Sequence, residues 1–322
     1  MNKTSQHPID VIYVAASSRD GRYARICVAS IRHFYPEKCV KLLVGGPLTW
    51  GLARELARYW NVGIADIAPG DWGWGFVKLE PLFRPAGERF LVLDSDTVLT
   101  GKILEPLEES PVDFIVDEES QSDDDSRRLY YEWCSPNIWD EMIVPPLFTF
   151  NTGQWIGTSG ILTREDFTGL VDWEHIPPIL CRPDLFKNGD QGVLNYVINR
   201  GMANCSLGIA RHKLMRWPGN GLGHITAEAV RSGEAPALVI HWAGMKAMFL
   251  RDMVGGDLLQ FYEDFYYTRL PAGRMRRIFA LWHHVLINWS FKTFLPARIF
   301  LKRWRDSMYP RSKPAPKAQV RS

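Results

Sequence analysis

Two aspartates at the end of a predicted strand are the residues of this sequence best placed to do chemistry. The apolar run Phe90–Leu93 predicts a buried strand, and Asp94 and Asp96 follow it, two residues apart. Residues i and i+2 of an extended chain point to the same side, so both carboxylates can bind one hard cation, Mn²⁺ or Mg²⁺. Such a cation would neutralise the charge on a departing nucleotide diphosphate. The pair therefore indicates sugar-nucleotide chemistry.

Two other interpretations of the pair stay open. Asp-x-Asp is common at strand ends, where carboxylates cap the next turn. The string also resembles the Asp-x-Asp-x-Thr loop of haloacid-dehalogenase-like phosphatases, in which the first aspartate, here Asp94, is the nucleophile. That loop normally follows the first strand, whereas three predicted strands precede it here. The phosphatase hypothesis also needs a downstream acidic metal motif, which the region around Asp190 supplies poorly.

Three polar strings follow the aspartates along the chain. They are FNTG at 150–153, NGDQGVLN at 188–195, which opens a predicted helix, and VIHWAGMK at 239–246, which ends a predicted strand. With the aspartate pair, these strings resemble the retaining family 8 glycosyltransferases, the group of glycogenin and of the bacterial lipopolysaccharide galactosyl- and glucosyltransferases. The resemblance covers residues 11–246, and its motifs come in the family's order.

The resemblance implies a GT-A fold with a metal site. Asp94, Asp96 and His241 would ligate Mn²⁺, or Mg²⁺ in its place, and imidazole beside carboxylates suits manganese. Lys246 would contact the diphosphate, and Gly244 would let the backbone approach it closely. The chain departs from the family here, because this lysine comes five residues after the histidine instead of six. The Pro-Trp that often follows is replaced by Ala-Met.

The resemblance also implies which residues surround the donor. Asp190 and Gln191 would lie beneath the sugar, and Asn151 would bind its hydroxyls. Glutamine is a poor nucleophile, so the resemblance implies a front-face substitution in which Gln191 stabilises positive character at the anomeric carbon. The remaining residues that would bind the nucleotide sugar are Ala15, Ala16, Ser17, Tyr23, Lys78 and Ser95. Small residues would let the base and ribose lie against the backbone, and Tyr23 would stack on the base.

Several of these residues also have an ordinary structural interpretation. A lone histidine near a strand end, such as His241, can be a satisfied core residue. Asp190 can be an N-cap, because an aspartate at a helix start accepts backbone N–H bonds. Asn151 before Thr-Gly is good turn chemistry, and Lys78 can be a solvated lysine.

Alternating apolar and amphipathic segments must position these groups. They predict an α/β fold of the GT-A type: a mixed, mostly parallel sheet flanked by helices, with a C-terminal basic amphipathic helical tail. Strands are predicted at 10–16, 40–44, 62–67, 89–94 and 148–162, and helices at 23–34, 48–60 and 190–199. Ligands collect at the carboxyl ends of strands in such sheets. The acidic, aromatic stretch 117–146 is predicted to be a functional or mobile loop.

Charge divides the chain into a body and a tail. The net charge is +2, but 274–322 holds 12 lysines and arginines against one acidic residue, which leaves −9 for 1–273. We predict a catalytic domain at 8–273, a basic aromatic helical tail at 274–309 that associates with an anionic membrane surface or packs on the body, and disorder at 310–322. Nucleic acid is a less favoured partner, because the body is acidic.

The expected location is the cytoplasm, peripherally on the inner face of a membrane. The N-terminus lacks the order of a secretory signal, no stretch of about 20 residues is apolar enough to span a bilayer, and the five scattered cysteines read as reduced thiols. We expect a UDP-hexose donor and a glycan or glycolipid acceptor. A non-catalytic protein that binds sugar nucleotides or membranes is the remaining alternative.

Overall fold

The structure is a computed structural model, and it describes residues 7–16, 20–46, 50–68, 70–73, 75–118, 122–131, 147–245, 249–282 and 286. The chain divides into two compact units, Met1–Gly273 and Arg274–Ser322. Some features predicted above lie outside the described residues: Ser17, Lys246, residues 132–146 of the acidic stretch and nearly all of the tail beyond 282.

Short strands and helices alternate along the first unit. The described strands are β1 (Val11–Ala16), β2 (Cys39–Val44), β3 (Gly63–Ile64), β4 (Arg89–Asp94), β5 (Thr97–Leu99), β6 (Phe114–Asp117), β7 (Gln154–Thr158), β8 (Val171–Asp172), β9 (Ile179–Leu180), β10 (Ile209–His212), β11 (Met215–Arg216) and β12 (Val239–His241). The α-helices are α1 (Gly21–Phe34), α2 (Trp50–Trp60), α3 (Leu104–Leu107), α4 (Asp123–Leu129), α5 (Asp190–Ala203), α6 (Ala227–Ser232) and α7 (Gly256–Thr268). Short 3₁₀ helices cover Phe76–Phe83, Arg164–Phe167, Pro218–Asn220 and Leu250–Asp252.

Seven of these strands form one sheet, in the order β10-β6-β7-β4-β1-β2-β3. Every neighbouring pair is parallel except those of β7, which runs antiparallel to β4 and β6. All six residues of β1 are buried, as expected of a parallel strand covered on both faces. The predicted mixed, mostly parallel sheet flanked by helices is confirmed.

Helix α1 is joined to its neighbours by buried polar contacts. The guanidinium of Arg32 donates to the carbonyls of Trp60, Asn61 and Lys38, which ties α1 to the end of α2. At the other end of α1, Arg22 pairs with Glu263 of α7 at 2.6 Å. These contacts fix the helix layer beside the carboxyl end of β1.

A second, three-stranded sheet of order β11-β12-β5 lies in the same unit. Its strand β5 follows β4 after only two residues, so the Asp-x-Asp turn carries the chain from the large sheet into the small one. Strand β12 runs antiparallel to β5, and His241 is paired with Thr97. The end of β12 therefore lies beside the turn.

Two predicted strands are shorter in the structure. Of 62–67, only Gly63–Ile64 pairs with β2, at the edge of the sheet. Of 148–162, only Gln154–Thr158 lies in the sheet, and residues 147–151 instead bond to side chains of α5. Periodicity alone could not show this, because a side-chain amide can satisfy the backbone of an extended segment as well as a strand can.

The second unit is described only at its start. Residues 274–282 are helical and expose Met275, Ile278, Phe279 and Trp282. Within the described parts of the chain, no helix combines the length and apolar character that crossing a bilayer requires.

Candidate active site

Three side chains converge where the two sheets meet. Asp94 ends β4, Asp96 precedes β5, and His241 ends β12. The pairing of β12 with β5 brings this histidine to the turn, and the amide of Trp242 donates to the carbonyl of Asp96 at 2.9 Å. Ordinary strand pairing thus places residues far apart in the sequence in one cluster.

The spacing of the ligand atoms suits one cation. Nε2 of His241 lies 3.2 Å from a carboxylate oxygen of Asp96 and 3.8 Å from one of Asp94. The three ligand atoms lie within 4.8 Å of one another. Two ligands about 2.1 Å from an ion and at right angles to each other are about 3.0 Å apart, so the cluster needs little adjustment to bind an ion.

The histidine is buried without a hydrogen-bond partner among the described residues. Its side chain is 1% exposed, and neither ring nitrogen forms a hydrogen bond with any described residue. Leaving a buried nitrogen without a partner is costly, and a metal ion bound to Nε2 would remove that cost for this nitrogen. The ring stacks on Trp217, with centroids 5.0 Å apart and planes at 24°.

Gly153 provides the space that this histidine occupies. A Cβ at residue 153 would lie 2.7 Å from Nδ1 of His241 and collide with its Cε1. The glycine amide donates to the Asn151 side chain at 2.8 Å, and its carbonyl accepts from the amide of Asp94 at 2.7 Å. The FNTG string is therefore in direct contact with the cation site.

A buried lysine side chain lies beside the site. The amine of Lys78, on the 3₁₀ helix Phe76–Phe83, is 2.9 Å from a carboxylate oxygen of Asp190 and 3.2 Å from one of Asp94. Burial lowers the pKa of Lys78, but the carboxylates of Asp190 and Asp94 outweigh it and raise the pKa above its ordinary value. Lys78 is not a solvated surface lysine, and it stays charged at every physiological pH.

Asp190 begins α5, but its side chain does not cap the helix. The N-cap is Gly189, and no side chain bonds to the helix start. The Asp190 carboxylate instead accepts from the hydroxyl of Thr152 at 2.8 Å and pairs with Lys78. Gly75, at φ +90°, approaches so closely that a Cβ there would collide with this carboxylate. The N-cap interpretation is therefore wrong for Asp190.

The two carboxamides are oriented by each other and by the backbone. Nδ2 of Asn151 donates to Oε1 of Gln191 at 3.1 Å, and Nε2 of Gln191 donates to the carbonyl of Leu129 at 3.1 Å. Oδ1 of Asn151 accepts from Gly153, so Asn151 does form the expected turn. Both amides are held in one orientation at the start of α5.

Burial and the neighbouring cation act in opposite directions on Asp94. Burial raises the pKa of its carboxyl and is the larger effect, Lys78 and His241 lower it, and Asp96 raises it again. The net shift is upward. A divalent cation at this position would favour the ionised carboxylate.

The residues expected at the nucleotide end are less completely assembled. Ala15 is paired with Asp94 in the parallel register, and its carbonyl accepts from the Ser95 amide at 3.1 Å. Ala16 ends β1. Tyr23 is buried, and its hydroxyl contacts the Met253 sulfur at 3.3 Å. The base contact of Tyr23 stays a prediction.

Gly244 has a φ of +70°, and no atom of the described part of the chain lies within 4 Å of where its Cβ would be. A backbone in this left-handed region favours glycine, so the residue type is explained by the turn after β12. Whether its amide approaches a diphosphate stays a prediction, as do the roles of Ser17 and Lys246.

A mostly parallel sheet, an Asp-x-Asp turn leading out of an inner strand and a smaller sheet that supplies a histidine together define a GT-A type fold. The structure is similar to that of the galactosyltransferase LgtC in complex with donor and acceptor sugar analogues, with a TM-score of 0.56, 15% identity and coverage of 83% of this chain and 99% of LgtC. For an active-site mutant of LgtC, the TM-score is 0.54 at 16% identity, covering 79% of this chain and 94% of the other. The predicted resemblance is confirmed at the level of the fold. In sequence, no protein-family model and no curated protein matches the chain.

Sequence reasoning gave no role to several residues that shape the site. They are Gly75, Thr152, Gly153 and Asn195. Thr152, Gly153 and Asn195 lie inside motif strings, which was a usable signal. Gly75 lies in a loop, and only the folded structure brings it to Asp190.

Proposed function

We propose that this chain is a metal-dependent glycosyltransferase that moves a hexose from a UDP-sugar to a glycan or lipid-linked saccharide, with retention of configuration. One observation carries the proposal. Asp94 belongs to the Asp94–Asp96–His241 cluster and also contacts Lys78, which pairs with Asp190 at the start of α5. The proposed diphosphate and sugar subsites are therefore one connected arrangement.

In this proposal, Asp94, Asp96 and His241 hold Mn²⁺ or Mg²⁺. When bound, the ion supplies the positive charge that stabilises a departing diphosphate. The buried amine of Lys78 pairs with the Asp190 carboxylate and holds it next to that position. Ser95, Ala15, Ala16, Gly244 and the residues outside the described ranges, Ser17 and Lys246, are proposed to bind the nucleotide.

The carboxamides are proposed to act on the sugar. Asn151 and the Asp190 carboxylate bind its hydroxyls, and the carboxamide oxygen of Gln191 stabilises positive character at the anomeric carbon. The bond from that carbon to the diphosphate oxygen breaks, and the bond to the acceptor oxygen forms on the same face. The acceptor proton passes to the departing diphosphate. The hydrogen bond from Asn151 keeps the Gln191 carbonyl oxygen, and not its NH₂ group, on the Asn151 side.

The decisive experiment measures UDP release. Purified protein is incubated with a panel of UDP-sugars, Mn²⁺ and a saccharide acceptor. We expect turnover that disappears with a chelator and falls at least about 100-fold in Asp94→Ala, since charge stabilisation at the leaving group is lost. Asp184→Asn, which changes an exposed aspartate paired with Arg182, serves as the matched control and retains activity.

Each alternative predicts a different result. A non-catalytic nucleotide-binding protein would bind UDP without turnover of any UDP-sugar. A phosphatase would release phosphate from simple phosphoesters. The GT-A type fold gives no support to this hypothesis. Absence of turnover with every UDP-sugar, or full activity in Asp94→Ala, would refute the proposal.

We also propose that the tail associates with anionic membranes. The described part, 274–282, combines exposed apolar residues with Arg274, Arg276 and Arg277, and each cation near an anionic surface contributes on the order of 1 kcal/mol. The test is sedimentation with anionic and with neutral vesicles, comparing the full chain with a variant in which these three arginines are glutamates. Equal binding of both proteins to anionic vesicles would contradict the idea.

A further inference from the structure

Helix α5 carries three carboxamide side chains at four-residue spacing: Gln191, Asn195 and Asn199. Residues i, i+4 and i+8 share one helix face. That face lies along the extended segment 147–151, which precedes Gly153 and contains Asn151. Only the first of the three has a role in the reaction proposed above.

The second carboxamide, that of Asn195, bonds to both main-chain groups of Phe150. Its Oδ1 accepts from the Phe150 amide and its Nδ2 donates to the Phe150 carbonyl, both at 2.8 Å. The same Nδ2 donates to the carbonyl of Gln191 at 2.8 Å. Asn195 is fully buried, and it bonds to the catalytic glutamine's backbone and to the residue before Asn151.

The third carboxamide repeats the pattern one turn further on. Oδ1 of Asn199 accepts from the amides of Leu147 and Phe148, at 2.9 and 3.3 Å. Its Nδ2 donates to the carbonyl of Phe148 at 3.0 Å and to that of Asn195 at 2.9 Å. Asn195 and Asn199 therefore have nearly the same chemistry, burial and number of partners.

The rise per residue of helix α5 and that of the segment 147–151 explain why successive asparagines of the helix meet alternate residues of the segment. Four helical residues advance about 6.0 Å, and two extended residues advance about 6.6 Å. Asn199 thus meets Phe148 and Asn195 meets Phe150. Gln191, one turn nearer the helix start, departs from this two-residue step: its Oε1 accepts from the side chain of Asn151, the residue directly after Phe150, at 3.1 Å.

We propose that Asn195 is a positioning residue that sets the relative register of Gln191 and Asn151 for the transfer step. The proposal rests on the glycosyltransferase function proposed above. Asn195 bonds to the Gln191 carbonyl on the helix and to the backbone of Phe150, the residue next to Asn151. Asn199 holds the same two elements together but contacts neither Gln191 nor Asn151.

The test compares Asn195→Ala with Asn199→Ala. Both variants lose equivalent buried hydrogen bonds, so we expect similar decreases in melting temperature. With saturating acceptor, kcat falls at least about tenfold further in Asn195→Ala than in Asn199→Ala, while KM for the UDP-sugar changes less than about threefold in either. A loss in kcat without a change in KM identifies an interaction realised in the transition state.

Amide hydrogen exchange provides a readout that does not depend on turnover. Because the Phe150 amide bonds to Asn195, the peptide containing residues 150–153 exchanges faster in Asn195→Ala, and less so in Asn199→Ala. If an alanine variant does not fold, the Asp variants at the two positions replace the pair, since they keep the shape and lose donated bonds.

The outcomes separate the two proposals. Equal losses of kcat in the two variants of an active enzyme would overturn the positioning role and leave the proposed function intact. A wild-type chain that turns over no UDP-sugar would overturn both.

Discussion

Gly153→Ala tests whether the geometry around His241 is what creates the cation site. The added methyl would lie 2.7 Å from Nδ1 of His241 and 2.7 Å from Oδ1 of Asn151, and it would collide with the imidazole Cε1. Ordinary contacts to a Cβ begin near 3.4 Å, so the ring must move by about 0.7 Å or more. The residue has no positive φ, so the perturbation is steric and not conformational.

The displacement is large on the scale of metal coordination. Ligand distances in functional sites hold to about 0.2 Å, and changes in the groups that orient a ligand typically cost about 10- to 100-fold in metal affinity. We therefore expect the Mn²⁺ dissociation constant, measured by calorimetry in the presence of UDP, to rise about 10- to 100-fold. Overpacking should also destabilise the fold by about 1–3 kcal/mol.

Gly219→Ala is the matched control. A Cβ at residue 219 meets no atom of the described residues within 4 Å, and this glycine also has no positive φ. It lies two residues after Trp217, whose ring stacks on His241. We expect wild-type Mn²⁺ affinity in this variant. A Gly153→Ala protein that binds Mn²⁺ within about threefold of wild type would show that the histidine position does not depend on this glycine.

Three further predictions follow from buried groups. Lys78→Met leaves the carboxylates of Asp94 and Asp190 without their shared cation, so the free energy of unfolding in urea falls by about 3 kcal/mol. Added Mn²⁺ restores part of the lost stability. A loss below about 1 kcal/mol would contradict the buried network. Trp217→Leu removes the stack on His241 and weakens Mn²⁺ binding about two- to tenfold, whereas Trp217→Phe largely retains Mn²⁺ binding. Equal Mn²⁺ affinities in both variants would refute the role of the ring. Burial raises the pKa of several tyrosines above the ordinary 10.0, so the unfolded chain loses their protons first and stability falls as pH rises through 10. The tyrosines are Tyr35, Tyr262 and Tyr266. Melting temperatures between pH 8 and 11 check the sign, and a melting temperature that rises above pH 10 would contradict it.

The cation site was predictable because its ligands occupy strand ends. A buried apolar strand ending in Asp94 fixes where that carboxylate leaves the core, and a second apolar strand ending in His241 does the same for the imidazole. What the sequence does not contain is the pairing of the small sheet, which alone determines that these two ends are neighbours. The resemblance to a known family supplied that step.

The surroundings of the residues proposed to bind the donor were harder to predict for a physical reason. Its geometry depends on which groups exclude a Cβ and which side chains replace a strand partner. Neither property has a periodicity: Gly75 and Gly153 look like ordinary turn glycines, and the segment before Asn151 looks like a strand. Tyr23 matched a motif, and its hydroxyl contacts the sulfur of Met253; local sequence could not predict this contact, because it does not determine which face of α1 the rest of the chain covers.

The Asp-x-Asp turn is also the only covalent link between β4 and β5, and the histidine beside it belongs to a strand that returns from much later in the chain. An ion held by all three would therefore join the large sheet to the small one. Sliding of one sheet against the other would pull its ligands apart, so such sliding would cost more with the ion in place. Binding the cation would make the junction of the two sheets stiffer, and this stiffness would vary with the supply of metal.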